Sequence, residues 1–172
     1  MYGLDLRLDA VLEERVREVW WALEAEGIRS LASSGHARHQ PHMSLAVGPR
    51  LCDVDPEAFA GLRPPRTVTL VSAATFGVDG GVVFLAVRPS PDLYEFHRAV
   101  VAALGPAAQG MSGYYHPGRL TPHVTVAEGL PTASLGRALQ TVVPHLPLTG
   151  SYTALEIVDA RTGRRQRLAT YE

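Results

Sequence analysis

The sequence predicts a pseudo-symmetric α+β protein in which one structural unit is used twice. Three observations carry that reading. Segments of period two and segments of period 3.6 follow one another in the same order in both halves of the chain. The run Pro41-His42-Met43-Ser44-Leu45-Ala46 in the first half is matched by Pro122-His123-Val124-Thr125-Val126-Ala127 in the second. The two copies are offset by about 80 residues, and two are too few for a solenoid, which needs about three.

The elements can be taken in order. Gly3 to Asp9 alternates apolar and charged residues, the pattern of a half-buried strand. Asp9 is a good N-cap for a helix over 10–26. Val11, Leu12, Val16, Val19, Trp20 and Leu23 recur there at helical spacing, and Gly27 stands where that helix stops. Trp20 is expected to face the core and Trp21 its margin. A polar, histidine-rich loop from Arg29 to Gln40 leads to a strand over 42–47. Residues 53–62 read as a short helix broken by Arg63-Pro64-Pro65. Thr67 to Val78 is rich in β-branched residues and reads as a strand, with Asp79-Gly80-Gly81 as the hairpin turn into another strand over 82–87.

The order then repeats. Ser90-Pro91-Asp92 opens a helix carrying Leu93, Phe96, Val100, Val101 and Leu104, and Gly105-Pro106 closes it. A loop rich in Gly and Tyr, 109–119, precedes a strand over 123–127. A helix over 132–143 follows. Strands over 151–159 and 166–171 are joined by the turn Arg161-Thr162-Gly163-Arg164. The whole reads as a single domain, 1–172, with pseudo-repeats of approximately 1–80 and 81–172; the end strands could be exchanged between the halves.

Composition narrows the function. The chain has 172 residues, 46% hydrophobic and 19% charged, with a formal net charge of −1. Wrapping long duplex nucleic acid rests on many cationic phosphate contacts, and a near-neutral chain suits that poorly. A nucleotide or an RNA end held in one cleft remains compatible, because a local arginine patch can sit inside a neutral total. All 16 basic residues are arginine, so neither a Schiff-base lysine nor a P-loop lysine is available. With one cysteine, Cys52, no intrachain disulfide forms. No signal-peptide pattern opens the chain, and no apolar run approaches the roughly 20 residues needed to cross a bilayer. The expectation is a cytoplasmic protein, a monomer, with no membrane partner and no cofactor.

The paired motifs carry the chemistry. In a strand, residues two apart share a face. His42 and Ser44 therefore point one way while Met43 turns inward; His123 and Thr125 do the same, with Val124 turned in. A single His-x-Ser or His-x-Thr arises often by chance, but two copies after proline at corresponding places do not. Brought together across a cleft, they supply two imidazoles and two hydroxyls. One neutral imidazole takes a proton from an attacking water or hydroxyl, and the other, protonated, gives one to the leaving oxygen. The Ser44 and Thr125 hydroxyls would donate to nonbridging phosphate oxygens.

These paired His-x-Ser/Thr strands resemble the two-histidine (2H) phosphoesterase superfamily, which includes the LigT-type 2′-5′ RNA ligases and 2′,3′-cyclic phosphodiesterases. The resemblance covers nearly the whole chain. It implies a duplicated two-lobe fold, with antiparallel sheets around a central groove and helices outside. It also implies metal-independent opening of 2′,3′-cyclic phosphates at RNA ends or on small nucleotides, with 2′-5′ RNA ligation as a close variant. His42 with Ser44 and His123 with Thr125 take the places of the two motifs. The first carries Ser where many relatives carry Thr, and either offers a hydroxyl. The symmetry of the motifs does not say which histidine is acid and which is base. The alternative on the same fold is a non-catalytic RNA- or nucleotide-binding module; a partner-binding domain is a further rival.

Secondary candidates surround the motifs. Arg119 could hold a phosphate through its guanidinium fork, and Tyr115 could stack on a base. Tyr114 and His116 share their loop, and Arg38 and His39 sit in the corresponding loop of the first half. His36-x-x-His39-x-x-His42 invites a metal reading, yet no Cys, Asp or Glu stands near it in sequence to complete a ligand set. His97 and His145 fall in helical segments and read as ordinary surface or partly buried residues. No Gly-x-Ser-x-Gly elbow is present for a serine nucleophile.

Overall fold

The computed structural model describes residues 1–34, 39–77 and 81–172. His36, Arg38 and most of the expected turn at 79–81 lie outside the described residues. The strands are β1 (Tyr2–Leu8), β2 (His42–Gly48), β3 (Val68–Phe76), β4 (Gly81–Val87), β5 (His123–Leu130), β6 (Leu148–Gly150), β7 (Tyr152–Asp159) and β8 (Arg165–Thr170). The helices are α1 (Ala10–Ala25), α2 (Leu31–Ser34), α3 (Pro91–Leu104) and α4 (Thr132–Val142). The strands form two four-stranded sheets, β2-β1-β7-β8 and β5-β4-β3-β6, and every pairing in them is antiparallel.

The strand order decides how the two halves meet. β3 closes the first unit yet pairs with β4 in the second sheet, and β7, with β8 after it at the end of the second unit, pairs with β1 in the first. End strands are thus exchanged, so neither half can bury its apolar faces alone. β2 and β5, the motif strands, hold the same edge place in their two sheets and run beside each other between them.

Local sequence explains most elements. The Asp9 carboxylate accepts the Leu12 N–H and caps α1. The same carboxylate accepts the backbone N–H and hydroxyl of Ser151, tying the start of α1 to the start of β7. Leu12, Val16, Val19, Trp20 and Leu23 are buried; Val11 and Trp21 stand exposed. α1 packs on α4, β5 and β6, while α3 covers β2. Ser90 caps α3 through its hydroxyl, with Pro91 at the first turn.

Four expectations need correction. The helix over 53–62 is two 3₁₀ turns, Leu51–Asp53 and Pro56–Phe59, with Val54 extended between them. Proline disfavours helical geometry in the residue before it, and Asp55 before Pro56 is extended, so no continuous helix forms. One helical turn, α2, occupies part of the expected loop after Gly27. β6, three residues pairing with Val68–Leu70, is too short to show alternation. β1 is buried on both faces around Leu4, Asp5 and Leu6, not on one. It is a central strand, and its second face forms the floor of the groove.

Matching β-bulges shape the two motif strands. In the first sheet Asp5 pairs with Ser44 and Leu4 with Ala46, so Leu45 is the extra residue. In the second, Phe84 pairs with Thr125 and Val83 with Ala127, so Val126 is extra. Each bulge reverses the alternation beyond it. Val47 and Glu128, five residues after their histidines, therefore turn to the groove beside Ser44 and Thr125.

Candidate functional site

Each motif histidine is set by the proline before it. Proline holds the residue preceding it extended, and the carbonyl two residues before each histidine turns back to its ring. His42 Nδ1 lies 2.7 Å from the Gln40 carbonyl oxygen, and His123 Nδ1 lies 2.7 Å from the Thr121 carbonyl oxygen. A carbonyl only accepts, so Nδ1 carries the hydrogen in both rings. In the neutral ring, Nε2 is then the lone-pair nitrogen. The Gln40 side chain is itself held by a hydrogen bond from Arg7, which also meets Glu13 at 2.5 Å.

The groove has two unlike halves that share Glu128. On the His42 side, a hollow of about 470 Å³ is lined by Asp5, His39, Ser44, Arg161 and Arg165 among others. On the His123 side, a hollow of about 510 Å³ is lined by Phe76, Tyr114, Tyr115, Arg119 and Thr125 among others. Both fall in the size range of small-ligand sites, about 300–1,000 Å³. A larger hollow of about 610 Å³ lies between 63–66 and 170–172, but no histidine or acid–base pair faces it.

His123 sits in an aromatic setting. Phe76 stacks on Phe84 at 4.1 Å, and the His123 ring stands edge-on to them at 5.0 and 5.1 Å. Burial lowers the His123 pKa and the nearby His42 ring adds to that; the Thr121 carbonyl opposes both. The strands that carry the two rings, β2 and β5, pack beside one another.

His42 sits among polar groups. Its Nε2 is 3.7 Å from Asp5 Oδ2, and the His39 ring meets it edge-on at 5.4 Å. Asp5 is only 3% exposed, and Ser44 donates its hydroxyl to Asp5 Oδ1 at 2.7 Å. Burial raises the Tyr115 pKa, the Asp5 charge adds to this, and the neighbouring Ser44 hydroxyl works against it. The Tyr115 loop is pinned to β2 by the Ser112 N–H donating to the Val47 carbonyl at 2.8 Å. That approach needs Gly48, where a Cβ would come within 3.2 Å of the Met111 Cα.

The expected residues fall out unequally. His42, Ser44, His123, Thr125, Tyr115 and Arg119 all line the groove. The proton of Ser44 is committed to Asp5, whereas the Thr125 hydroxyl makes no hydrogen bond among the described residues. Tyr114, 77% exposed, joins the aromatic half, while His116 does not line either hollow. His39 packs between Trp20 and His42, and no cluster of three metal-ligating side chains occurs among the described residues. His97, expected at the surface or partly buried, is 1% exposed; its Nε2 lies 3.1 Å from the Leu45 carbonyl at the bulge, and the ring also meets the Tyr115 backbone. It shares the buried face of α3 with Leu93, Phe96, Val100 and Leu104.

Sequence reasoning missed Asp5, Phe76, Phe84, Glu128, Arg161 and Arg165. Asp5 reads as the solvent side of an alternating strand, and only its pairing with Ser44 reveals otherwise. Glu128 is brought in by the bulge, which no local pattern announces.

A family model described as the 2′-5′ RNA ligase superfamily matches residues 11–164. No curated protein matches the chain. Two solved structures of E. coli LigT share the architecture. The complex with NADP+ superposes with a TM-score of 0.54 at 18% identity, and the apo form with 0.53 at 19%. Each alignment covers 96% of this chain and 91% of LigT. At that identity the likeness speaks to the fold.

Proposed function

The chain belongs to the 2′-5′ RNA ligase superfamily, and from that premise we propose that it is a phosphodiesterase opening 2′,3′-cyclic phosphates on RNA ends or nucleotides, with 2′-5′ ligation as a variant of the same chemistry. One observation carries the reading. Both motif histidines bind a backbone carbonyl through Nδ1, which leaves Nε2 of each for proton transfer in one groove.

The two settings favour two roles. His123, with its pKa lowered among aromatic rings, is neutral near pH 7 and serves as base. It takes a proton from a water as that oxygen bonds to phosphorus. The bond from phosphorus to one ribose oxygen breaks. His42, protonated beside Asp5, gives its Nε2 proton to that leaving oxygen. The products are a phosphomonoester and a free ribose hydroxyl. In ligation a ribose hydroxyl replaces water and the ring opens with the same roles; in the reverse cleavage, where the ring reforms, the roles exchange. The free Thr125 hydroxyl suits a nonbridging phosphate oxygen, where a donor stabilises developing charge. Ser44 offers the substrate lone pairs instead of a proton.

The flanks of the groove favour a nucleotide bearing more than one phosphate. Phe76, 39% exposed, and Tyr114 form a stacking surface for a base beyond His123. Arg161 and Arg165 stand beyond His42. Arg165 and Arg167 both contact Glu156, at 3.3 and 2.9 Å, so that acid is more than neutralised. A further phosphate of an RNA strand fits the Arg161 and Arg165 guanidinium groups, which share the hollow with Asp5 and Glu128; a local arginine pair is not visible in the net charge of −1.

The test is turnover, in EDTA, of the four nucleoside 2′,3′-cyclic monophosphates and of a short RNA ending in a 2′,3′-cyclic phosphate. Ring opening of at least one is expected. Tight binding without any product would favour a binding module instead.

A further inference from the structure

Asp5 and Phe84 hold the same position in the two units. Each lies across a β-bulge from the hydroxyl of a His-x-Ser/Thr motif, Ser44 for Asp5 and Thr125 for Phe84. The duplicated frame therefore has one charged and one apolar floor beneath otherwise matching motifs.

The Asp5 carboxylate is unusual for its burial. Its Oδ1 accepts the Ser44 hydroxyl, and its Oδ2 faces His42 Nε2 at 3.7 Å. Gly3 makes the space, since a Cβ there would stand 2.9 Å from Oδ1. Other charged groups stand about it. Arg7, on the same face of β1, binds Glu13 and Gln40. Glu156, its partner on β7, is held by Arg165 and Arg167 from β8. Tyr115 neighbours Ser44, and His39, Glu128 and Arg161 line the same hollow. Among the described residues, the ion-pair partner of Asp5 is His42. A charge withdrawn from water needs a counter-charge or hydrogen bonds to be tolerated, and among the described residues its side-chain hydrogen bond comes from Ser44 and its ion-pair contact from the His42 imidazole.

We propose that Asp5 is a positioning residue that makes the His42 side of the groove the proton-donating side, by fixing the Ser44 proton and by standing as counter-charge to a protonated His42 ring. The inference rests on the cyclic phosphodiesterase reading above. In the step concerned, the Nε2 proton of His42 passes to the departing ribose oxygen as the bond to phosphorus breaks. His42 becomes neutral, and Asp5 keeps its charge and its Ser44 hydrogen bond throughout. Phe84 has no charge to offer His123, which suits the ring that must begin neutral.

The test is Asp5→Asn, which keeps the shape and an acceptor for Ser44 but removes the charge. It is compared on two substrates, a nucleoside 2′,3′-cyclic phosphate and bis(p-nitrophenyl) phosphate, whose leaving group departs without a proton. The expected loss in kcat is about tenfold to a hundredfold on the cyclic substrate, with KM within about twofold, and under about threefold on the nitrophenyl ester. Asp5→Asn added to His42→Ala should cost nothing further, because Asp5 acts through His42. Equal losses on both substrates, or additive losses in the double variant, would overturn the proposal. Should Asp5→Asn fail to fold, His42→Ala on the same two substrates decides it: a large loss on the cyclic substrate with under about a threefold loss on the nitrophenyl ester is expected, and equal losses on both contradict the assignment of the donating side. Wild-type protein inactive on every cyclic substrate would strike at the phosphodiesterase reading, whereas an active wild type with a fully active Asp5→Asn would strike at this inference alone.

Discussion

Asp5 lies opposite Ser44 where Phe84 lies opposite Thr125, so two copies of one motif rest on unlike floors. A strictly symmetric site would hold two interchangeable imidazoles. Here the exchange of a carboxylate for a phenyl ring at one register position gives each histidine its own electrostatic setting. The consequences extend outward into the two halves of the groove.

The aromatic half should be read by the base. Phe76 stacks on Phe84 and presents its outer face to the groove. Base–aromatic stacking is worth about 1–3 kcal/mol by alanine substitution. Phe76→Ala is expected to raise KM for a nucleoside 2′,3′-cyclic phosphate about tenfold and to change kcat less than about threefold. Steady-state kinetics on the purified variant checks this, and an unchanged KM would remove the base from that side.

The arginine half should be read by a second phosphate. A nucleoside 2′,3′-cyclic phosphate that also carries a 5′ phosphate is expected to show a lower KM than the same compound without it. Arg161→Ala should abolish most of that difference while leaving the unphosphorylated compound unaffected. On a single-stranded RNA, every phosphate neutralised steepens the fall of log affinity with log salt by about 0.7. Arg161→Ala should therefore flatten that slope by about 0.7, which titrations at several salt concentrations measure. Equal KM values for the two compounds in the wild type would exclude the subsite.

Stability should fall on mild acidification. Burial lowers the His97 pKa, and that of His123 is lowered as well. An unfolded histidine titrates near 6.5, so below that pH the unfolded chain binds protons that the folded chain refuses. Their contribution is complete above about pH 6.5 and is lost as pH drops toward the lower folded values. The urea midpoint is expected to fall between pH 7.5 and 5.5, and to fall less in His97→Gln. Asp9, Glu24 and Asp159, whose pKa values are also lowered, act only near and below about pH 4. A wild-type midpoint flat across this range would contradict the account.

Much of this was legible in the chain because its signals were local. The helix from Asp9, the cap at Ser90 and the paired Pro-His strands each depend on a few neighbouring residues. What stayed hidden depends on pairing across the sequence. The exchange of β3 and β7 is settled by burial of both sheets together, not by either segment. Asp5 looked like an outward charge because alternation alone does not show what covers a face. His97 looked peripheral because one polar residue on an amphipathic helix says nothing of the Leu45 carbonyl that awaits it. Glu128 needed a bulge to reach the groove, and Ser44 could be seen as a hydroxyl but not as one already committed to Asp5.

The central claim is that His42 and His123 act as one acid–base pair. It is tested most directly by the kcat of His42→Ala, His123→Ala and the double variant on a 2′,3′-cyclic phosphate in EDTA. Each single substitution is expected to cost about 10²–10⁴-fold, and the double variant should fall well short of the product of the two. Near-full turnover in either single variant would contradict the pair.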